Sequence, residues 1–183
     1  MGWMIADRVS LLSSGNVVTL ETEPVDPRDI FRGDYVVLRY AISNIALTAY
    51  KGTSDLAKGD TVYVELSKNT AGKWRPVALD TRMMEPAEGN HIIRGRITRI
   101  DKRSPRLTPE RKKPREVPCP LCGTAQIKYG IESYFVPEGS GRDIEHARNR
   151  AELTVDVALA DNGEAAIKSL SMDGKTIYNE PLF

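Results

Sequence analysis

Short extended runs closed by turn signals constrain this chain more than any other feature. They fall at 17–21, 34–42, 61–66, 74–79, 92–100, 126–136, 153–159 and 165–170, and nearly every gap between them holds Gly, Pro, Asn or Asp. Val62, Val64 and Leu66 alternate with polar neighbours, as do Ile93, Gly95 and Ile97, and then Leu153, Val155, Val157 and Leu159. A period of two places every other side chain on one face, so each run reads as a strand with one buried side. Strands this short and evenly spaced predict a mainly β protein, an antiparallel sandwich or small barrel-like sheets that hide their edges. One short helix is expected near 140–150, where Asp143 precedes Ile144, Ala147 and Ala151 at helical spacing.

The 183 residues are enough to bury about two thirds of the unfolded chain's surface, so neither a disulfide nor a metal is needed for a core. Lys and Arg total 26 against 25 Asp and Glu, a formal net charge of +1 that argues against a general electrostatic nucleic-acid binder. No run approaches the roughly 20 apolar residues that span a bilayer, and no complete secretory signal is present. Gly2-Trp3-Met4-Ile5-Ala6 is an apolar run that stops abruptly at Asp7-Arg8. It is too short for any membrane role by itself.

The most specific stretch is Gly33-Asp34-Tyr35-Val36-Val37-Leu38-Arg39-Tyr40, which fills every fixed position of a G-D-Y-x-x-L-x-Y pattern. Gly33-Asp34 is a turn pair at a strand entrance, and the β-branched and aromatic residues after it favour extended backbone. Strand alternation puts Val36, Leu38, Tyr40 and Ile42 on one face and Tyr35, Val37 and Arg39 on the other, which favours a structural role for the octet over a binding one. A second block, Tyr129 to Gly139, contains Glu132, Tyr134 and Glu138. Together the two blocks resemble the bacterial GDYXXLXY domain proteins, often membrane-anchored and without an established function. The resemblance runs from about Ile5 to the C-terminal end. It implies an N-terminal membrane helix just ahead of this chain, with residues 1–14 as the remnant of the anchor and its juxtamembrane segment, and Trp3 near the interface.

Residues 15–183 then form the β-rich domain, read as two β units, 15–101 and 119–183, joined by the basic, Pro-rich loop 102–118. Pro105, Pro109, Pro114 and Pro118 interrupt regular structure there, and Lys102, Arg103, Arg106, Arg111, Lys112, Lys113 and Arg115 supply the charge. That cluster reads as a solvated loop, or as a contact for anionic lipid if the domain lies at a membrane. Beyond it, Cys119-Pro-Leu-Cys122-Gly resembles one knuckle of a zinc ribbon, two ligands of the four that a closed site needs. The chain has no third cysteine and only His91 and His146, so zinc would have to be shared between chains. A disulfide or redox pair, reduced structural thiols and a shared metal all remain open at Cys119 and Cys122.

No residue set nominates a catalyst. The Gly-Asp-x-Val strand openings resemble those in signal-peptidase-like barrels, but only Ser13 and Ser14 offer a nucleophile, and no lysine base accompanies them. Glu132 and Glu138 suggest a carboxylate-based hydrolase only if their separate elements converge. Arg28, Asp29, Arg32 and Asp34 read as a salt-bridge network beside the strand entrance. The function expected is a non-enzymatic extracytoplasmic accessory or binding domain that partners a multi-span membrane protein, with a hydrolase or a binder of a small molecule or envelope polymer as the alternative. Its candidate binding residues are Arg32, Asp34, Tyr35, Tyr40, Tyr129, Glu132, Tyr134 and Glu138, with the four tyrosines as an aromatic surface patch.

Overall fold

A computed structural model describes residues 11–12, 16–23, 35–52, 55–101, 123–135 and 153–180, with the backbone alone described at 35–36 and 134–135. The protein is mostly β, built on two antiparallel sheets of which one is nearly closed and barrel-like. The strands among the described residues, in chain order, are β1 (Val17–Glu21), β2 (Tyr35–Val37), β3 (Asn44–Ala46), β4 (Thr61–Lys68), β5 (Trp74–Asp80), β6 (His91–Asp101), β7 (Thr124–Lys128), β8 (Ser133–Phe135), β9 (Leu153–Leu159), β10 (Ala165–Met172) and β11 (Lys175–Asn179). One sheet has the order β1-β9-β10-β11, the other β3-β7-β6-β4-β5, and β2 pairs with β8 as a two-stranded ribbon.

Alternation decides most of this. In β4, Val62, Val64 and Leu66 are fully buried, and in β9 so are Val155 and Val157. Two expected runs divide, and the last strand lies outside every expected run. The 34–42 run keeps only β2 as a paired strand and continues through an irregular stretch to β3. The 126–136 run splits into β7 and β8 because Gly130 turns with φ +83°, a left-handed conformation that glycine adopts without steric cost. The last strand, β11, lies in a stretch whose alternation is weak, since Lys175, Thr176 and Ile177 are all exposed. The helix expected near 140–150 lies outside the described residues, as do the 102–118 loop, Cys119 and Cys122.

The stretches on either side of that loop share one core. β1 pairs with β9, β2 with β8 and β3 with β7, so every sheet draws strands from both. One apolar cluster runs through them, from Val18 and Leu20 through Leu66, Ile93 and Ile127 to Val155 and Leu170. Such interleaving makes folding depend on contacts distant in sequence. At the sheet edges, Glu21 of β1 accepts an ion pair from Arg75 of β5 at 2.5 Å and a second from Lys73, fastening the edge of one sheet to the edge of the other.

Candidate functional site

The two sequence blocks lie side by side. Tyr35, Val36 and Val37 pair with Phe135, Tyr134 and Ser133, while Asn44, Ile45 and Ala46 pair with Gln126, Ala125 and Thr124. Asn44 lies nine residues after Tyr35, and Gln126 nine before Phe135, so the register is the same on both sides of the gap. The segments 35–46 and 124–135 are therefore one antiparallel ribbon, interrupted in its middle.

Side chains fill the interruption. Tyr40, with 0% exposure, donates its hydroxyl to the Ile131 carbonyl at 2.6 Å. Tyr129, also buried, donates its hydroxyl to the Ile42 carbonyl at 2.7 Å. Each tyrosine thus reaches across to the backbone of the other segment and satisfies a carbonyl that the broken ladder leaves open, as a buried carbonyl requires. Backbone bonds flank the pair: the Leu38 N–H donates to the Glu132 carbonyl at 2.7 Å, and the Ile127 N–H to the Ser43 carbonyl at 2.8 Å.

The Glu132 carboxylate holds the turn. It accepts the backbone N–H of Tyr129 at 2.5 Å and that of Gly130 at 3.0 Å. Its charge also acts on both phenols. Burial, and then this carboxylate, push the Tyr40 and Tyr129 hydroxyls far above the usual tyrosine range, so both stay protonated donors. Space for the Tyr129 ring comes from β6, where Gly95 sits opposite. A methyl group at Gly95 would lie 2.9 Å from Tyr129 Cδ1, 3.0 Å from the Lys128 carbonyl oxygen and closer still to Ile127. A glycine at an inward position of an alternating strand marks such a close approach, and Ile93-Arg94-Gly95-Arg96-Ile97 carries that mark.

Of the expected binding residues, the fold brings together Tyr40, Tyr129 and Glu132, the two rings in the interior and the carboxylate half-buried at the turn. The aromatic patch expected from four tyrosines cannot include Tyr40 or Tyr129, because both rings are in the core. Tyr35 and Tyr134 sit on the β2–β8 ribbon, Tyr35 opposite Phe135 and Tyr134 opposite Val36. Arg32, Asp34 and Glu138 lie outside the described residues.

A second feature escaped the sequence reading: a cleft of about 340 Å³ between the β5–β6 connection and the β9–β10 turn. Met83, Met84, Pro86, His91, Leu159 and Asp161 are among its lining residues. His91 packs its ring against Trp74 with centroids 5.2 Å apart, and the Lys68 ammonium stands 5.0 Å from the Trp74 ring. Burial, and then Lys68, lower the proton affinity of His91 below the usual histidine range, so the ring is neutral at physiological pH. Among the described residues, no group of three or more His, Cys, Asp or Glu gathers to hold a metal ion. Nor is any helix among them long and apolar enough to cross a membrane.

The model of the GDYXXLXY protein family matches residues 1–170. The chain belongs to the GDYXXLXY family. No curated protein and no solved structure matches it. In this family member the last tyrosine of the G-D-Y-x-x-L-x-Y pattern is the buried Tyr40, and the leucine is the buried Leu38. In this chain Tyr40 links the two segments of the ribbon through its hydroxyl, and Leu38 through its backbone N–H.

Proposed function

We propose that this GDYXXLXY protein is a non-enzymatic accessory or binding domain, held by an N-terminal anchor on the outer face of a bacterial membrane and partnering a multi-span membrane protein. The observation that carries this reading is the internal use of the signature groups. The hydroxyls of Tyr40 and Tyr129 and the carboxylate of Glu132 are all bonded to the protein's own backbone. A general acid or base has to reach a substrate proton, and a carboxylate bonded to two backbone amides beside buried phenols is poorly placed for that. The signature therefore supports a rigid scaffold that displays other surfaces.

Exposed apolar side chains support a contact near the end of β5, where Val77 is 46% and Met83 50% exposed, Met83 on the rim of the 340 Å³ cleft. An exposed methionine on the rim of a recess suits the centre of a protein interface. The test is cross-linking and affinity capture of the tagged, full-length protein from its native membrane, followed by mass spectrometry. One membrane protein is expected at near-stoichiometric yield, and Val77→Glu with Met83→Lys should release it. Recovery of the protein alone would overturn the reading. In that case the cleft favours a small-molecule binder, and ligand screening against Met83 and His91 variants is the next measurement.

A further inference from the structure

The outer face of the five-stranded sheet carries a row of cations that no ion pair among the described residues offsets. Arg96 in β6 pairs directly with Lys128 in β7, and both are exposed. Directly opposed like charges on one sheet face are destabilising. The bulge after Ile97 sets Arg99 opposite Gln126, a position two residues from Lys128 and hence on the same outward face. Arg94, further up the strand, has Glu164 of the β9–β10 turn at 2.5 Å. Arg96, Arg99 and Lys128 have no such carboxylate among the described residues. Two acids of neighbouring segments are engaged elsewhere: Asp60 accepts the Ala57 N–H at 2.8 Å, and Asp101 has an interaction of its own.

Beside this row lies an open basin of about 590 Å³, lined by Leu56, Ala57, Lys58, Thr98, Arg99 and Ile100. Lys58 is exposed and, like the other three cations, has no ion-pair partner among the described residues. The basin combines two cations, Lys58 and Arg99, with the half-buried apolar Leu56 and Ile100.

We propose that this face, at Arg96, Arg99 and Lys128 with Lys58 at its margin, is a seat for an anionic phospholipid surface. A sheet face presents its cations to a planar partner, and headgroup phosphates there supply the counter-charge that the like-charge row lacks. The basin admits one headgroup, its phosphate between Lys58 and Arg99 and its apolar part against Leu56 and Ile100. A nucleic acid fits less well, because the row offers no stacking aromatic and no element shaped for a groove. The proposal rests on the charge pattern alone and does not require the accessory-domain reading.

Sedimentation of the full chain with vesicles tests it. Vesicles of phosphatidylcholine mixed with phosphatidylglycerol should bind the protein and vesicles of phosphatidylcholine alone should not, with the binding falling as salt rises. Arg96→Gln, Arg99→Gln and Lys128→Gln should each weaken binding by about fivefold, the loss expected for one cation at an anionic surface. Lys168→Gln, on the other sheet, should leave it unchanged. A second readout is independent of lipid: Arg96→Gln relieves the repulsion from Lys128 and should raise Tm. The proposal fails if the triple variant binds as the wild type does, or if wild type ignores anionic vesicles. It fails equally if binding follows Lys112 and Lys113 of the connecting segment instead, or if free inorganic phosphate competes the protein off at millimolar concentration.

Discussion

The Tyr40–Tyr129 clasp and the Glu21–Lys73–Arg75 triad both join strands where the backbone ladder does not. The clasp is buried and uses neutral hydroxyls on carbonyls. The triad lies at the surface, with the cations about 40% exposed and the carboxylate 18%. Water is the competitor that separates them. A carbonyl in the core has no replacement when its donor is removed, so the whole cost of an unsatisfied group appears. A carboxylate at the sheet edge is rehydrated when its cations leave, and loses little. The family signature contributes to the first fastening and not to the second, as expected if it encodes what the fold cannot lose.

Removing the ring at the clasp should give the largest effect. Tyr129→Ala deletes a buried aromatic and should cost about 3–5 kcal/mol, read as a loss of free energy in urea unfolding. Tyr129→Phe and Tyr40→Phe keep the ring and isolate the hydroxyl; each should cost about 1–3 kcal/mol, since a buried carbonyl is left without its donor. The double Phe variant should depart from additivity because both bonds hold the same ribbon. Gly95→Ala should cost about 1–3 kcal/mol by overpacking the space that the Tyr129 ring occupies. Combining it with Tyr129→Ala should recover part of that loss. If both Phe variants matched wild type, the clasp would be no fastening at all.

Alkaline titration sharpens the same contrast by spectroscopy. The Tyr40 and Tyr129 phenols should stay protonated beyond the ordinary tyrosine value of 10.0 and release their protons only as the protein unfolds. Their folded proton affinity is raised, so the stability that they contribute is fully present below the unfolded value of about 10 and is lost as pH rises beyond it. In the double Phe variant that alkaline loss should shrink.

Much of the sheet architecture was legible, because a strand with one buried face writes its period into the sequence. Residues 153–159 coincide with β9, and the runs at 61, 74, 92 and 165 locate β4, β5, β6 and β10 to within a residue or two. Alternation also placed Leu38, Tyr40 and Ile42 on one buried face. It failed in the 126–136 run, where Gly130 turns and Ser133 is exposed two residues after the buried Ile131. β3 and β11 escaped notice because three exposed-buried-exposed residues, or a mostly exposed edge, carry too little pattern. The clasp was half legible: Tyr40, Tyr129 and Glu132 were all nominated, but as binding residues. Their partners are the backbone carbonyls of Ile42 and Ile131, and no side-chain pattern records which carbonyl a ladder leaves open. The cleft was illegible for a related reason, since its lining comes from segments far apart in the chain.

The triad should yield the smallest effect, and its pH dependence is what identifies it. Lys73 first, and Arg75 with it, hold the Glu21 carboxyl below its ordinary value of 4.5 against a smaller opposing push from burial. Between the lowered folded value and the unfolded one, the unfolded chain binds more protons than the folded chain, so acid favours unfolding there. The stability contributed by Glu21 is therefore fully present above about pH 4.5 and is lost as pH falls through the folded value. Glu21→Gln should cost about 0.2–1 kcal/mol at neutral pH, an amount that high salt erodes. As pH drops below 4.5, the unfolding curves of variant and wild type should converge, because the wild-type carboxyl becomes neutral as well. Clasp variants should show no such convergence in acid, since their hydroxyls do not titrate there. A gap between Glu21→Gln and wild type that persisted unchanged into acid would mean that Glu21 acts by packing, and the contrast between an interior and a surface fastening would lose its electrostatic basis.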